Sequence, residues 1–197
     1  QIQFECLSPH QSKVEAIRFD FGASGTAEKP IRVINCMVQA GAVGIVVGSH
    51  DSSEPTVSHI QITENRVSAA STQYGIPMVI QGAASDVAVM DNDLFQGLGG
   101  LSLRFDGAKL ATSIDFRNNS ICNVEHAFFL NDSDADQEIS VVDNVIANAR
   151  HVSTINGSTE RYVGWFPGNQ WLSDSAPTDS FVQLHFEKLP LSSVKST

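Results

Sequence analysis

Cysteine is scarce in this chain of 197 residues: Cys6, Cys36 and Cys122 are the only three. An odd number without paired spacing is no disulfide framework, and no C-x-x-C pair exists to hold zinc. The expectation is small, buried, apolar thiols. No apolar run approaches the ~18 residues of a membrane-spanning helix, so no membrane span is expected. Positive charge is also short, with 12 Lys and Arg against 22 Asp and Glu and a net charge of −10. That balance argues against a nucleic-acid partner and does not favour anionic uronate polymers, although a local basic cluster can overrule it. The N-terminus has neither an initiator Met nor a secretory signal pattern. The chain therefore reads as a fragment or processed product attached to other domains. No stretch reads as a helix of ten or more residues; Val43–Val47 has helical character, but Gly41, Gly44 and Gly48 oppose it.

What is present is a repeated phrase, apolar–x–apolar–x–acidic/Asn–Asn–x–apolar. It occurs at Ile60–Val67, Val87–Leu94, Ile114–Ile121 and Ile139–Ile146, and at Ile31–Val38 with Cys36 in the second-Asn place. The corner residues Cys36, Asn65, Asn92, Asn119 and Asn144 are separated by 29, 27, 27 and 25 residues, and 25 more reach Asn169. Ile2–Cys6 keeps the strand without the Asn. Self-similarity at such a period marks a solenoid, and imperfect terminal copies read as caps. A second apolar strand follows each phrase by about 14 residues, as in Ile17–Phe21, Gly44–Val47, Met78–Ile80, Leu101–Phe105, Phe128–Leu130, Ser153–Ile155 and Val182–Phe186. A short third strand follows each Asn. Three short parallel strands per repeat predict an all-β, single-stranded, right-handed parallel β-helix of about seven coils. It is one domain over residues 1–188, with 189–197 a tail or linker. The Asn column, Asn65, Asn92, Asn119 and Asn144, is assigned to a sharp corner where left-handed backbone is needed. A leucine-rich solenoid is the rival architecture, but the chain is rich in Val and Ile instead of Leu at fixed offsets.

These residues make the chain resemble the right-handed parallel β-helix superfamily typified by pectate lyases, with its asparagine ladder at one turn. The resemblance runs from about Ile2 to Phe186. It implies a substrate groove on the outer face of the second strand, where Arg18, Asp20, Val46, Ser102, Arg104, Asp106, Gln183 and His185 are expected to face outward, with Met78 and Ile80 in the central coils. Lyases of this family hold Ca²⁺ with clustered carboxylates and use an Arg or Lys base, and Ca²⁺ wants six to eight oxygens. No acidic ladder appears on that face. The Asn-Thr-Asp, Asp-Asp, Gly-His-Gly and Arg-Ile-Lys motifs of the polygalacturonase relatives are missing from the sequence.

Candidate chemistry is therefore sparse. Arg104 and Asp106, echoed by Arg18 and Asp20, form a polar grip for a sugar or acid, or equally a solvated face with local ion pairs. Asp106 and Asp132 on neighbouring coils loosely meet the carboxyl separation of a glycosidase. Arg104, Asp106 and His126 are the catalytic candidates. Asp132, Asp134 and Asp136 form the densest acidic run, read either as a Ca²⁺ loop or as a solvated turn. His126 and His151, 25 residues apart, are expected to stack on adjacent coils, where they can share a metal or proton or simply pack at a turn. Trp165 and Trp171 take inward positions, and Phe166 points outward as a surface on which a sugar can stack. The functional expectation is a non-catalytic recognition or scaffold module, carbohydrate-binding or a sensing appendage, with a carbohydrate or protein partner. The alternative is a polysaccharide lyase or glycoside hydrolase. No cofactor is expected apart from Ca²⁺, and an extracellular or cell-surface setting is favoured.

Overall fold

The computed structural model describes residues 3–5, 15–20, 22–49, 56–71, 73–82, 84–104, 112–131, 139–156, 167–172 and 187–189. They form sixteen strands and no helix. In chain order these are β1 (Gln3–Glu5), β2 (Glu15–Phe19), β3 (Ile31–Ile34), β4 (Met37–Ala40), β5 (Val43–Val47), β6 (Val57–Thr63), β7 (Arg66–Ala69) and β8 (Ile76–Gln81). They continue as β9 (Ala84–Met90), β10 (Asp93–Arg104), β11 (Thr112–Arg117), β12 (Ser120–Asn131), β13 (Ile139–Val142), β14 (Val145–Asn156), β15 (Gln170–Leu172) and β16 (Glu187–Leu189).

Every pairing between these strands is parallel and links an element to its counterpart one repeat away. The sheet β13-β11-β9-β6-β3 carries the repeated phrase. Ile31, Ile60, Val87, Ile114 and Ile139 are aligned across it, as are Val33, Ile62, Val89, Phe116 and Val141. The remaining strands form a sheet of eleven, in which β1, β4, β7, β10, β12, β14, β15 and β16 follow one another. The protein is a parallel β-solenoid of about four turns, counted from β3 to β13, not the seven expected. Among the described residues the terminal copies contribute β1 and β2 at one end and β15 and β16 at the other. The expected strand Val182–Phe186 lies outside the described residues.

The interior is a continuous stack of side chains from all three walls. Ile45, Ile60, Ile62, Val67, Met78, Ile80, Leu94, Leu101, Phe116, Phe128 and Ile146 have no solvent exposure. Each such Val, Leu, Ile or Phe contributes about 1.5–3 kcal/mol through burial. Close stacking sets local demands. A Cβ at Gly44 would lie 2.4 Å from both the Pro77 carbonyl oxygen and Val67 Cγ1, so only glycine lets β5 lie against the next coil.

Two expectations need correction. First, the third and second strands of a repeat are continuous in β10, β12 and β14, each of 12 residues. The bends fall at residues of positive φ, Gln96 and Gly97 in β10, Asn123 in β12 and Asn148 in β14, so the turn is too short to interrupt the ladder. Second, the left-handed backbone at the main corner belongs to the residue before the buried Asn. Asn35, Glu64, Asp91, Asn118 and Asp143 have φ of 52–58°, whereas the column Asn residues are not among the positive-φ positions. The exposed partner of each pair takes the strained conformation, which Asn and Asp tolerate best. The buried partner is reserved for hydrogen bonding.

That bonding is continuous. Asn92 Oδ1 accepts from Asn65 N at 2.9 Å and Asn65 Nδ2 at 3.0 Å. Asn119 serves Asn92, Asn144 serves Asn119 and Asn169 serves Asn144 in the same way, at 2.9–3.1 Å. Each side-chain amide also donates to a strand carbonyl of the preceding coil, Val33, Ile62, Val89, Phe116 or Val141. Cys36 starts the column. Its N–H donates to Asn65 Oδ1, and its thiol approaches the Ile34 carbonyl at 3.3 Å.

Candidate functional site

The second-strand wall consists of β2, β5, β8 and the later halves of β10, β12 and β14. Its outward row runs Arg18, Val46, Val79, Ser102 and Phe129, with Thr154 next in register. Met78 and Ile80 were expected on this face, but they align with Ile45 and Val47 and are buried in the core. Val79 takes the outward place. Val46 and Ser102 are oriented as expected but are buried, at 2% and 0% exposure. Val46, Ile76 and Val79 form a second apolar cluster outside the bore, with Val43 and Phe129 packed against it. Among the described residues the middle of this wall is therefore buried and apolar, and offers no polar groove.

At the wall's first coil Arg18 is tied locally, with Nε to Asp20 at 2.5 Å and Nη1 to Glu15 at 2.7 Å. Partial burial opposes its charge, but the hydrogen bonds to Glu15 and Asp20 outweigh this and raise its pKa. Arg104, three strands along or roughly 14 Å away, donates from Nε to Ser102 Oγ at 2.9 Å. It aligns with Gln81 and Asn131. His126 aligns with Gly99, five residues before Arg104, which is roughly 16 Å along the strand. Arg18, Arg104 and His126 thus occupy three separate places. Asp106, Asp132, Asp134, Asp136, Trp165, Phe166, Gln183 and His185 lie outside the described residues, and so do Cys6 and the strand core Ile2. Among the described residues no group of three or more His, Cys, Asp or Glu comes together for a metal ion. Among the same residues no helix is long and apolar enough to cross a membrane.

The expected histidine stack is real. His126 and His151 are in register on β12 and β14, with ring centroids 4.9 Å apart and planes at 19°. Phe129 lies 4.8 Å from His126 on the other side, and its ring occupies the space a Cβ on Gly99 would need. Burial lowers the pKa of His126, and His151 and Arg150 act in the same direction against the opposing charge of Glu125.

The histidines belong to a larger set that the sequence reading missed. Arg150 Nη1 donates to Glu125 Oε1 at 2.8 Å, and Asn148 Nδ2 donates to Asn123 Oδ1 at 2.6 Å. All three pairs are 25 residues apart, so the same spacing that picked out the histidines also finds their neighbours. Asn123, Asn148, Arg150 and His151 are exposed. The left-handed backbone at Asn123 and Asn148 turns this polar corner outward. Cys122 stands just before it, half-buried, its thiol pKa raised by burial and by Asp93.

Comparison with known families, curated proteins and solved structures finds no match for the chain.

Proposed function

We propose that the protein is a non-catalytic recognition or scaffold module that uses the corner of β12 and β14 to bind carbohydrate. The observation that carries this reading is the in-register pairing of Asn123 with Asn148, Glu125 with Arg150 and His126 with His151. The coils of β12 and β14 each present an amide, a charged group and an imidazole, at the strand spacing of roughly 4.8 Å. An extended polar chain laid across these two coils meets an amide and an imidazole on each, with a carboxylate acceptor on β12 and a guanidinium donor on β14. The exposed imidazole of His151 adds a flat ring for packing against a sugar face. The separation of Arg18, Arg104 and His126 supports binding over catalysis. The hydrogen-bonded Asn column supports a relationship to the pectate-lyase-like superfamily at the level of architecture, a fold that hosts many functions.

The test is a glycan array probed with the wild type and with Asn148→Ala/Arg150→Ala/His151→Ala, all at exposed positions. The retained glycans are then incubated with the protein and followed by the ultraviolet absorbance of unsaturated uronate and by reducing-end release. Binding that is lost in the triple variant, without product, is the expected result. Product formation would instead favour the lyase or hydrolase reading, and binding indifferent to the three substitutions would remove the corner from the account.

A further inference from the structure

The corner of β12 and β14 continues onto earlier coils with different residues. Its amide column has a third member. Gln96 of β10 is exposed, has φ 62°, and stands between Phe95 and Gly97, which are in register with Cys122 and Val124 on either side of Asn123. One coil further back the chain is longer. Ser68 is in register with Phe95 and Met78 with Leu101. Between those points β10 has residues 96–100 and the earlier coil has 69–77, five against nine, so the earlier coil carries four more. They form a turn in which Gly75 N donates to the Ser71 carbonyl at 2.7 Å and Tyr74 N donates to Ser71 Oγ at 3.1 Å. The turn brings Gln73 and Tyr74 to the surface, with Tyr74 49% exposed. It is seated tightly on β10. Gly99 N donates to the Gly75 carbonyl at 3.0 Å, and a Cβ on Gly97 would lie 2.6 Å from the same oxygen.

At this corner β10 is therefore a low saddle between the turn on one side and His126 on the other. It presents Gln96, Gly97, Leu98 and Gly99, two of them without a side chain. Gly99 is in register with His126, and the Phe129 ring lies over it. Leu98 and Phe129 are half-buried. We propose, resting on the carbohydrate reading of the corner, that a linear, uncharged glycan runs along the rod here, with two units on β12 and β14 and a third in the saddle of β10 against Tyr74. A pyranose unit of an extended chain spans about one strand spacing, roughly 4.8 Å, so successive units fall on successive coils. The saddle supplies the chemistry a sugar ring uses: an aromatic side chain for its apolar face, an amide that both donates and accepts for its hydroxyls, and apolar surface beneath. Gln73, Tyr74, Gln96 and Leu98 are uncharged, and Glu125 and Arg150 on the next two coils are paired with each other. Among the described residues the saddle thus gives a carboxylate no counter-charge.

The probes are 1,3- and 1,4-linked oligomers of glucose, mannose and xylose, and 1,4-linked galacturonate oligomers, of two and three units each, titrated by calorimetry. At least one neutral series should bind about tenfold more tightly at three units than at two, and more tightly than the galacturonate series. Tyr74→Ala should erase that gain, and Tyr74→Phe, which keeps the ring, should retain it. Gln96→Gly should also erase it, since glycine removes the amide and takes the positive φ without strain. Equal affinity at two and three units, a gain that survives Tyr74→Ala and Gln96→Gly, or tighter binding of galacturonate would each overturn the third subsite. If binding is nevertheless lost in Asn148→Ala/Arg150→Ala/His151→Ala, the corner itself stands and only its extension falls. Absence of binding by every oligomer would overturn both.

Discussion

Replacing Asn92 should be among the most damaging single changes available. Its side chain is 1% exposed and is used at both ends. Oδ1 accepts from Asn65 N and Nδ2, while Nδ2 donates to the Ile62 and Met90 carbonyls and to Asn119 Oδ1. Asn92→Ala leaves the Asn65 N–H and the Ile62 carbonyl buried without these partners, each costing about 1–3 kcal/mol, so a total loss of about 3–5 kcal/mol is expected. Asn92→Asp separates hydrogen bonding from shape. It preserves the outline and one acceptor but aims a second acceptor at two carbonyls and Asn119 Oδ1. A carboxylate there is unpaired, which raises its folded pKa above the unfolded value of about 3.9. The folded variant then binds more protons than the unfolded one, so its stability relative to wild type falls as pH rises from about 3.9 through the raised folded value. Asn92→Asp should therefore be worse than Asn92→Ala at neutral pH and recover on acidification, when the protonated acid can donate. Urea unfolding followed by circular dichroism at several pH values measures both. A loss under about 1 kcal/mol for Asn92→Ala, or a pH-independent difference for Asn92→Asp, would refute the claim that donors and acceptors hold this corner.

Three further outcomes follow from the packing. Gly44→Ala should cost about 2–3 kcal/mol in chemical unfolding, because the new methyl meets the Pro77 backbone and Val67 in a closed space. Trp171 Nε1 has no hydrogen-bond partner among the described residues; Trp171→Phe should thus stay within about 1 kcal/mol of wild type while Trp171→Ala loses about 3–5 kcal/mol. His126 has a lowered pKa in the folded state, so the unfolded chain binds more protons. Its contribution is present above the unfolded value of about 6.5 and is lost as pH falls from there through the lower folded value. Unfolding free energies from pH 5 to 8 should show that slope, and His126→Gln should flatten it.

The sequence exposed the architecture because the repeat recurs at nearly constant spacing and each copy alternates in polarity. Asn65, Asn92, Asn119 and Asn144 could be aligned before any coordinates, and Asn169 with them. The backbone role within each pair could not. Glu64 and Asn65, or Asp91 and Asn92, are both polar, and periodicity does not say which one carries the left-handed φ. The second-strand wall was misread for a different reason. Met78, Val79 and Ile80 are all buried, because the outer face of this wall is itself apolar. Alternation had no contrast to report, and the face was assigned one residue out of register. The polar corner was half legible. The 25-residue spacing aligned His126 with His151, but Glu125 with Arg150 and Asn123 with Asn148 seemed ordinary surface residues until β12 and β14 were seen side by side.

The most direct test of the recognition reading is an ¹⁵N and imidazole NMR titration of the protein with the best glycan from the array. The account predicts shift changes centred on Asn123, Glu125, His126, Asn148, Arg150 and His151, with Arg18 and Arg104 unaffected. Changes centred on Arg18 or Arg104, with the β12–β14 corner silent, would contradict it.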